Sequence, residues 1–394
     1  MRVPLLDLGE QHRSLAASIR EQIDDVMRTN QFILGPRVEE FEHAICRYTG
    51  AQFAIGVSSG TDALLALLMA LGVGRGDAVV TTPYTFFATA ACIARVGATP
   101  LFVDIDAKTF NLSPGALEEF LESKCTRTSV DTVYDGKKIR AIVPVHLFGL
   151  CCQMNEIRAL AKTFRLPIIE DAAQAMGAEY PSRSGCEQAA TMGLAGFFSF
   201  YPSKNLGAAG DAGLIVTNDE GLAHRLRVCR NHGMEPQYFH HIIGGNFRLD
   251  EIQAAILSVK LPHLDGWSAR RRVVAEVYRE EFTRAGLLEK IVLPSDPFRD
   301  PGLTNTHIYH QYIIRAPSRN ALREHLRRNE IGSAIYYPLG LHEQKCFEYL
   351  GHKRGDFPVT ERATSETLAL PIYPELSPKA QRFVVDKIAE FYAR

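Results

Sequence analysis

"FFSFYPSKNL" (Phe197–Leu206) places a single cation behind an apolar run. The run reads as a buried strand, Pro202-Ser203 then turns the chain, and Lys204 stands just past the turn. Lysine is seldom buried without a partner. Lys204 is therefore either an ordinary surface residue beside a turn or a lysine set at the mouth of a core to do chemistry. The rest of the chain decides between the two.

Outward from this stretch the same pattern repeats. "DAVVTTP" from Asp77, "TPLFVDID" from Thr99, "IRAIVPVHLFG" from Ile139, "LPIIEDAAQ" from Leu166 and "GLIVTND" from Gly213 all read as strands. Helical stretches lie between several of them, for example Asn155 to Phe164. Continuous apolar strands alternating with helices imply an α/β fold with a mostly parallel, mixed sheet flanked by helices on both faces. In such a sheet the ligand crevice lies at the carboxyl ends of the strands. Val38, Phe41, Ile45 and Tyr48 mark an amphipathic helix introduced by Gly35-Pro36. "SSGTDALLALLMALG" predicts a helix from near Thr61 to Gly72. After about residue 260 the pattern changes. A polar helix over Leu264 to Ala285, then "HQYIIRA", a helix near Asn320 to Asn329 and "GSAIYYP" read as a smaller α+β domain. The expected division is a large domain over 1–260 and a small one over 261–394.

Composition removes several functions. The formal net charge is -1, which gives no basic field to recruit nucleic acid or an anionic membrane. The short run Arg270-Arg271-Arg272 reads as a solvated helix face. No apolar segment is long enough to span a bilayer, and "MRVPLLDLGEQHRSL" turns polar too early for a secretory leader. The 8 cysteines show neither a CxxC pair nor a zinc-type spacing. The expectation is a reduced, cytoplasmic protein without a structural metal.

"GVGRGD" (Gly72–Asp77) looks like a dinucleotide loop, but it follows a helix and precedes a strand, the reverse of the required order. It reads as a helix-to-strand turn. The pairs His240-His241 and His307/His310 lack carboxylates or cysteines at metal spacing. Three other features carry more. "SSGTD" (Ser58–Asp62) offers a helix start with free N–H groups that can hold a phosphate. "IIEDAAQ" ends a buried strand on Glu170-Asp171, and "SFYPSK" ends another on Lys204. Each alone is also explained by a helix cap or a surface residue. Together they put a phosphate cradle, an acid and a lysine at one sheet edge. Pyridoxal phosphate needs these three: an amine for the Schiff base, a carboxylate to keep the pyridine nitrogen protonated, and a phosphate site.

The chain resembles the DegT/StrS-type nucleotide-sugar aminotransferases of the fold-type I pyridoxal-phosphate class. "PLLDLGEQHRSL", "FILGPRVEEFE", "TPYTFFATA", "IEDAAQAMGAEY", "GGNFRLDEIQAAIL" and "YYPLGLHEQKCF" carry the resemblance together with the stretches above, in order, over nearly the whole chain. It implies that Lys204 is the Schiff-base lysine, Asp171 the acid on the pyridine nitrogen, and Gln174 a contact on the phenolic oxygen side. Phe86 would stack on the ring. Thr61, Asp62 and Ser199 would form the phosphate shell. Asn246 would reach the phosphate from the other subunit of a homodimer, and Arg248 would grip an anionic substrate group in the neighbour's site. His310 and Tyr337 fall in segments that line the sugar side. Ala209, Ala212 and Phe247 depart from residues common in the family and bear on substrate fit.

The reaction implied is a two-stage transamination from an amino acid, L-glutamate by resemblance, to a keto-sugar nucleotide. Two other readings stand beside it. Sugar dehydratases of the same fold carry histidine where this chain has Lys204. A non-catalytic regulator would have no need of Lys204 or Asp171.

Overall fold

A computed structural model describes residues 1–182, 185–299 and 302–393. Its main sheet has seven principal strands: β1 (Phe53–Val57), β2 (Asp77–Thr81), β3 (Thr99–Phe102), β4 (Lys137–Ile142), β5 (Ile169–Asp171), β6 (Ala195–Ser199) and β7 (Gly213–Thr217). β3, β2 and β4 form one parallel ladder, and β5 pairs in parallel with β6. The two parts meet through the parallel bridges Ile142–Ile168 and Val145–Asp171. β7 runs antiparallel to both β6 and β1. The spatial order is therefore β3-β2-β4-β5-β6-β7-β1, with one reversed strand.

The opening stretch shows why the sheet is covered on both faces. Successive strand residues point to opposite sides. Phe197 (2% exposed) joins the core formed with the helix Gly60–Ala70, while Phe198 (1%) joins the core formed with the helix Pro36–Thr49. A strand buried on both faces has no polar alternation to show, which is why its sequence is a continuous apolar run. The helix Gly60–Ala70 is itself buried at Ala63 through Leu68.

A second core joins the antiparallel pair β8 (Tyr312–Arg315) and β9 (Thr367–Leu370) to the helices Leu264–Arg284, Arg319–Arg328 and Pro378–Tyr392. Val3 packs in this core, and the chain start bridges Ile331, so the first residues join the C-terminal part. "GSAIYYP" adds only the bridge Ala334–Ala369 to this sheet.

The arginine run departs from its reading as a solvated face. Arg270 is exposed, but Arg271 is 2% exposed and donates through Nη1 to the carbonyls of Tyr309 (3.2 Å), His310 (3.4 Å) and Ile372 (3.1 Å). Arg272 bonds to Asn305 Oδ1. The cause is helical phase: Leu264, Trp267, Arg271, Val274 and Tyr278 fall on one inward stripe at steps of three and four.

Candidate active site

Lys204 rides on a closed loop at the end of β6. Its N–H donates to Tyr201 O at 2.8 Å, and the Ala208 N–H returns to Phe200 O at 2.7 Å. β5 ends at Asp171, which lies opposite Phe197 in parallel register. Lysine and carboxylate thus leave neighbouring strands at the same sheet edge and line one cavity of about 780 Å³. Thr61, Phe86, Gln174, Ser199, His310 and Tyr337 line it too.

Asp171 is 5% exposed. Its carboxylate accepts from Thr89 Oγ1 at 2.9 Å and from the Ala173 N–H at 3.1 Å. Burial pushes its pKa up, and the two hydrogen bonds and the charge of Lys204 oppose that push. Glu170, one residue earlier, faces the other side of the sheet. There it accepts from the backbone N–H groups of Ala190 (2.9 Å), Met192 (2.6 Å) and Gly193 (2.6 Å), and from His146 Nε2 at 2.8 Å. The Cys152 N–H donates to His146 Nδ1 at 3.0 Å, which leaves the ring proton on Nε2, facing Glu170. The fold therefore separates the acidic pair into a buried structural acid and an acid at the cavity.

Lys204 is part-exposed to the cavity, yet the protein around it removes enough water to bring its pKa down to about 8, with Asp171 pulling the other way. An amine so poised has the neutral fraction that a nucleophile needs near neutral pH.

The helix Gly60–Ala70 opens on the same cavity. Its cap, Ser59 Oγ, accepts the Asp62 N–H at 3.0 Å, and Ser59, Gly60 and Thr61 line the cavity. A helix start has N–H groups without helical partners and the positive end of the dipole, which together suit an anion. A Cβ on Gly60 would lie 2.7 Å from Ser199 Cβ, and one on Gly213 would lie 2.4 Å from the Ser59 carbonyl carbon. These two glycines let the helix start press against β6 and β7, which brings the Ser199 hydroxyl beside the free N–H groups.

Gln174 Oε1 accepts from the Phe148 N–H at 2.7 Å, and its Nε2 donates to the Tyr337 hydroxyl at 3.2 Å. The ring of Phe86, 58% exposed, lies 6.4 Å from that of Tyr337. His310 Nδ1 lies 3.2 Å from Asn205 Oδ1. Burial, with the charges of Lys204 and Arg271, holds this imidazole neutral, well below its ordinary pKa.

Three expected residues are not on the cavity wall. Asp62 turns away and accepts from Ser58 Oγ at 2.7 Å. Asn246 is exposed and its backbone bridges Asn231; Arg248 Nη1 donates to Asn231 Oδ1 at 3.2 Å. Their segment still runs beside the cradle, since the Ser58 N–H donates to Phe247 O at 2.9 Å. Ala209, Ala212 and Phe247 do not line the cavity either. Thr89 and Asn205 are contacts that sequence reading missed. Asn205 follows Lys204 directly, which was the available signal; Thr89 sits 82 positions from its partner and gave none.

This donor set fits pyridoxal 5′-phosphate: an anion-binding helix start with a serine hydroxyl, a buried carboxylate, an aromatic face and a lysine of lowered pKa. A sheet that ends these groups on one cavity defines a fold-type I pyridoxal-phosphate enzyme. The chain belongs to the DegT/DnrJ/EryC1/StrS aminotransferase family, whose model matches residues 13–389. It is 48% identical to a protein of Geobacillus stearothermophilus named "Pleiotropic regulatory protein", over 100% of this chain and 99% of the relative. It is 37% identical to the UDP-N-acetyl-3-dehydro-alpha-D-glucosamine 3-aminotransferase of Acidithiobacillus ferrooxidans, over 95% of this chain and 94% of the relative. The crystal structure of ntda from Bacillus subtilis, with bound cofactor PMP, has a TM-score of 0.84 to this chain at 27% identity, covering 99% of this chain and 85% of that one. The protein is an aminotransferase, and pyridoxal 5′-phosphate is its cofactor. Among the described residues no helix is long and apolar enough to cross a membrane.

Proposed function

We propose that the enzyme moves an amino group from an amino acid, L-glutamate, to the keto group of a sugar nucleotide, in the making of an amino sugar. The observation that carries this is the convergence of Lys204, Asp171 and the Gly60 helix start on one cavity of about 780 Å³. Relatives that act on UDP- and dTDP-linked amino sugars support the substrate class.

Pyridoxal phosphate, when bound, supplies the electron sink for a carbanion at the reacting carbon. The chain's own residues do the rest. Asp171 holds the proton on the ring nitrogen. Thr89 and the Ala173 N–H keep that carboxylate aimed. Ser199 and the N–H groups at Gly60 and Thr61 bind the phosphate. Gln174, held by Phe148 and Tyr337, orients the ring from one edge, and Phe86 covers its face. Lys204 moves the proton: off the donor's α-carbon in the first half, and onto the sugar carbon that receives the amine in the second. Its pKa of about 8 lets it both accept and return a proton.

Asn246 and Arg248 serve the partner's site in a homodimer. The exposure of Asn246, and the passage of the segment along the cradle, support this. The range 1–260, apart from the chain start that packs with the C-terminal part, acts as the cofactor-binding domain, and 261–394 as the smaller one that closes the sugar side through His310 and Tyr337. Eight free cysteines support a reducing, cytoplasmic setting. A dehydratase would replace Lys204 by histidine. A purely regulatory protein would have no use for the buried Asp171–Thr89 contact.

The test is a panel of keto-sugar nucleotides incubated with the purified enzyme and glutamate. Conversion of a sugar oxo group to an amine, seen by mass, with matching 2-oxoglutarate, is the expected result. Amine transfer from glutamate to a keto compound that carries no nucleotide, with every keto-sugar nucleotide left unchanged, would overturn the substrate class.

A further inference from the structure

A second lysine is buried near the first. Lys260 ends the helix Glu251–Lys260 and is 2% exposed. No carboxylate pairs with it among the described residues. Its Nζ donates to Gly207 O and lies 6.0 Å from the centroid of the Trp267 ring. Burial brings its pKa down to about 8. An ammonium so placed costs free energy that an apolar side chain would not. The carbonyl that it holds lies three residues beyond Lys204.

The Lys204 loop is gripped from several sides. Asn205 Nδ2 donates to Ile308 O at 3.1 Å. Gly207 sits so close to the incoming arm that a Cβ there would lie 2.4 Å from Pro202 O. The Ala209 N–H donates to Gln253 Oε1 at 2.9 Å. Gln253 and Lys260 belong to one helix, two turns apart and on one face. The other end of that helix is anchored too. Glu251, 1% exposed, accepts from the N–H groups of Gly35 (2.7 Å), Arg37 (2.9 Å) and Val38 (3.0 Å), the start of the helix Pro36–Thr49.

We infer that Lys260 is a positioning residue for Lys204: it holds the Gly207 carbonyl and, with Gln253, fixes the loop from which Lys204 reaches into the cavity. This rests on Lys204 being the cofactor lysine. A buried carbonyl must find a donor. A donor from the neighbouring helix satisfies Gly207 without engaging Lys204, whose amine stays free for the cofactor.

The experiment compares wild type, Lys260→Met, Lys260→Arg and Gln253→Ala, each checked by circular dichroism. Amide exchange over residues 205–209 is read in cofactor-free protein. Capture is read as the rate at which added pyridoxal phosphate becomes fixed to Lys204 by borohydride. In Lys260→Met, exchange quickens and capture slows, each by about tenfold or more. Lys260→Arg, which keeps a cationic donor, stays within roughly threefold of wild type, and Gln253→Ala shifts both readings by about threefold in the Met direction. A folded Lys260→Met that melts earlier but exchanges and captures like wild type marks a merely structural lysine and overturns the inference. If Lys260→Met does not fold, wild-type exchange and capture in Gln253→Ala overturns it instead. Cofactor fixed in wild type to a lysine other than Lys204 fails the underlying reading, while the exchange data still report on the clamp.

Discussion

Lys204 and Asp171 set each other's charge. Burial lowers the lysine from 10.5 to about 8, and Asp171 holds it from falling further. Only the neutral amine attacks an aldehyde. Capture of pyridoxal phosphate by the cofactor-free enzyme should therefore rise about tenfold per pH unit up to about pH 8 and then level off, where an ordinary lysine would keep gaining to 10.5. Asp171→Asn removes the charge that retains the proton, so the break moves to lower pH. The same change lowers turnover by about two to four orders of magnitude, because an amide cannot hold the proton on the ring nitrogen. Stopped-flow capture across pH and steady-state rates check both. An unmoved break with wild-type turnover would reduce Asp171 to a cap on the turn at Ala173. These two residues were legible because strand ends in an α/β sheet face the crevice. Thr89 and Lys260 were not, since their partners lie 82 and 53 positions away and nothing local marks them.

The strand order could not be read from apolar runs, although each strand could. A buried run carries no sign of its direction, so the reversal of β7 became visible only in the structure. That reversal matters, because it puts the first residue of β7, Gly213, at the site edge beside the last of β6, Ser199. The arginine run misled for a related reason: composition said solvent, but helical phase put Arg271 inside. Gly213→Ala tests the contact between β7 and the helix start. A methyl 2.4 Å from the Ser59 carbonyl carbon must push the helix start away. Overpacking of this kind costs about 1–3 kcal/mol, so the Kd for pyridoxal phosphate should rise by roughly 5- to 150-fold. Equilibrium dialysis on folded variant protein measures this, and unchanged affinity would mean that the phosphate does not use the helix start.

Across the whole molecule, the segment before Asn246 carries large apolar side chains in the open: Tyr238 is 80% exposed, Phe239 65% and Ile243 90%. Apolar groups so exposed mark a contact surface, and a two-fold dimer would cover both copies while presenting Asn246 and Arg248 to the opposite cavity. Lys204→Ala and Arg248→Ala subunits, each inactive alone, should regain activity when mixed, towards about half of wild type per mixed dimer, because one site of the pair is then intact. No recovery with mixed dimers confirmed by mass would assign Arg248 to its own subunit. The most direct measurement is the place where the cofactor attaches. Lys204 and Lys260 both have pKa values near 8, so basicity does not choose between them, but only Lys204 stands on the cavity wall. Borohydride reduction of the holoenzyme, digestion and peptide mass mapping should find the reduced cofactor on Lys204. Finding it on Lys260, or on any other lysine, would contradict the site described above.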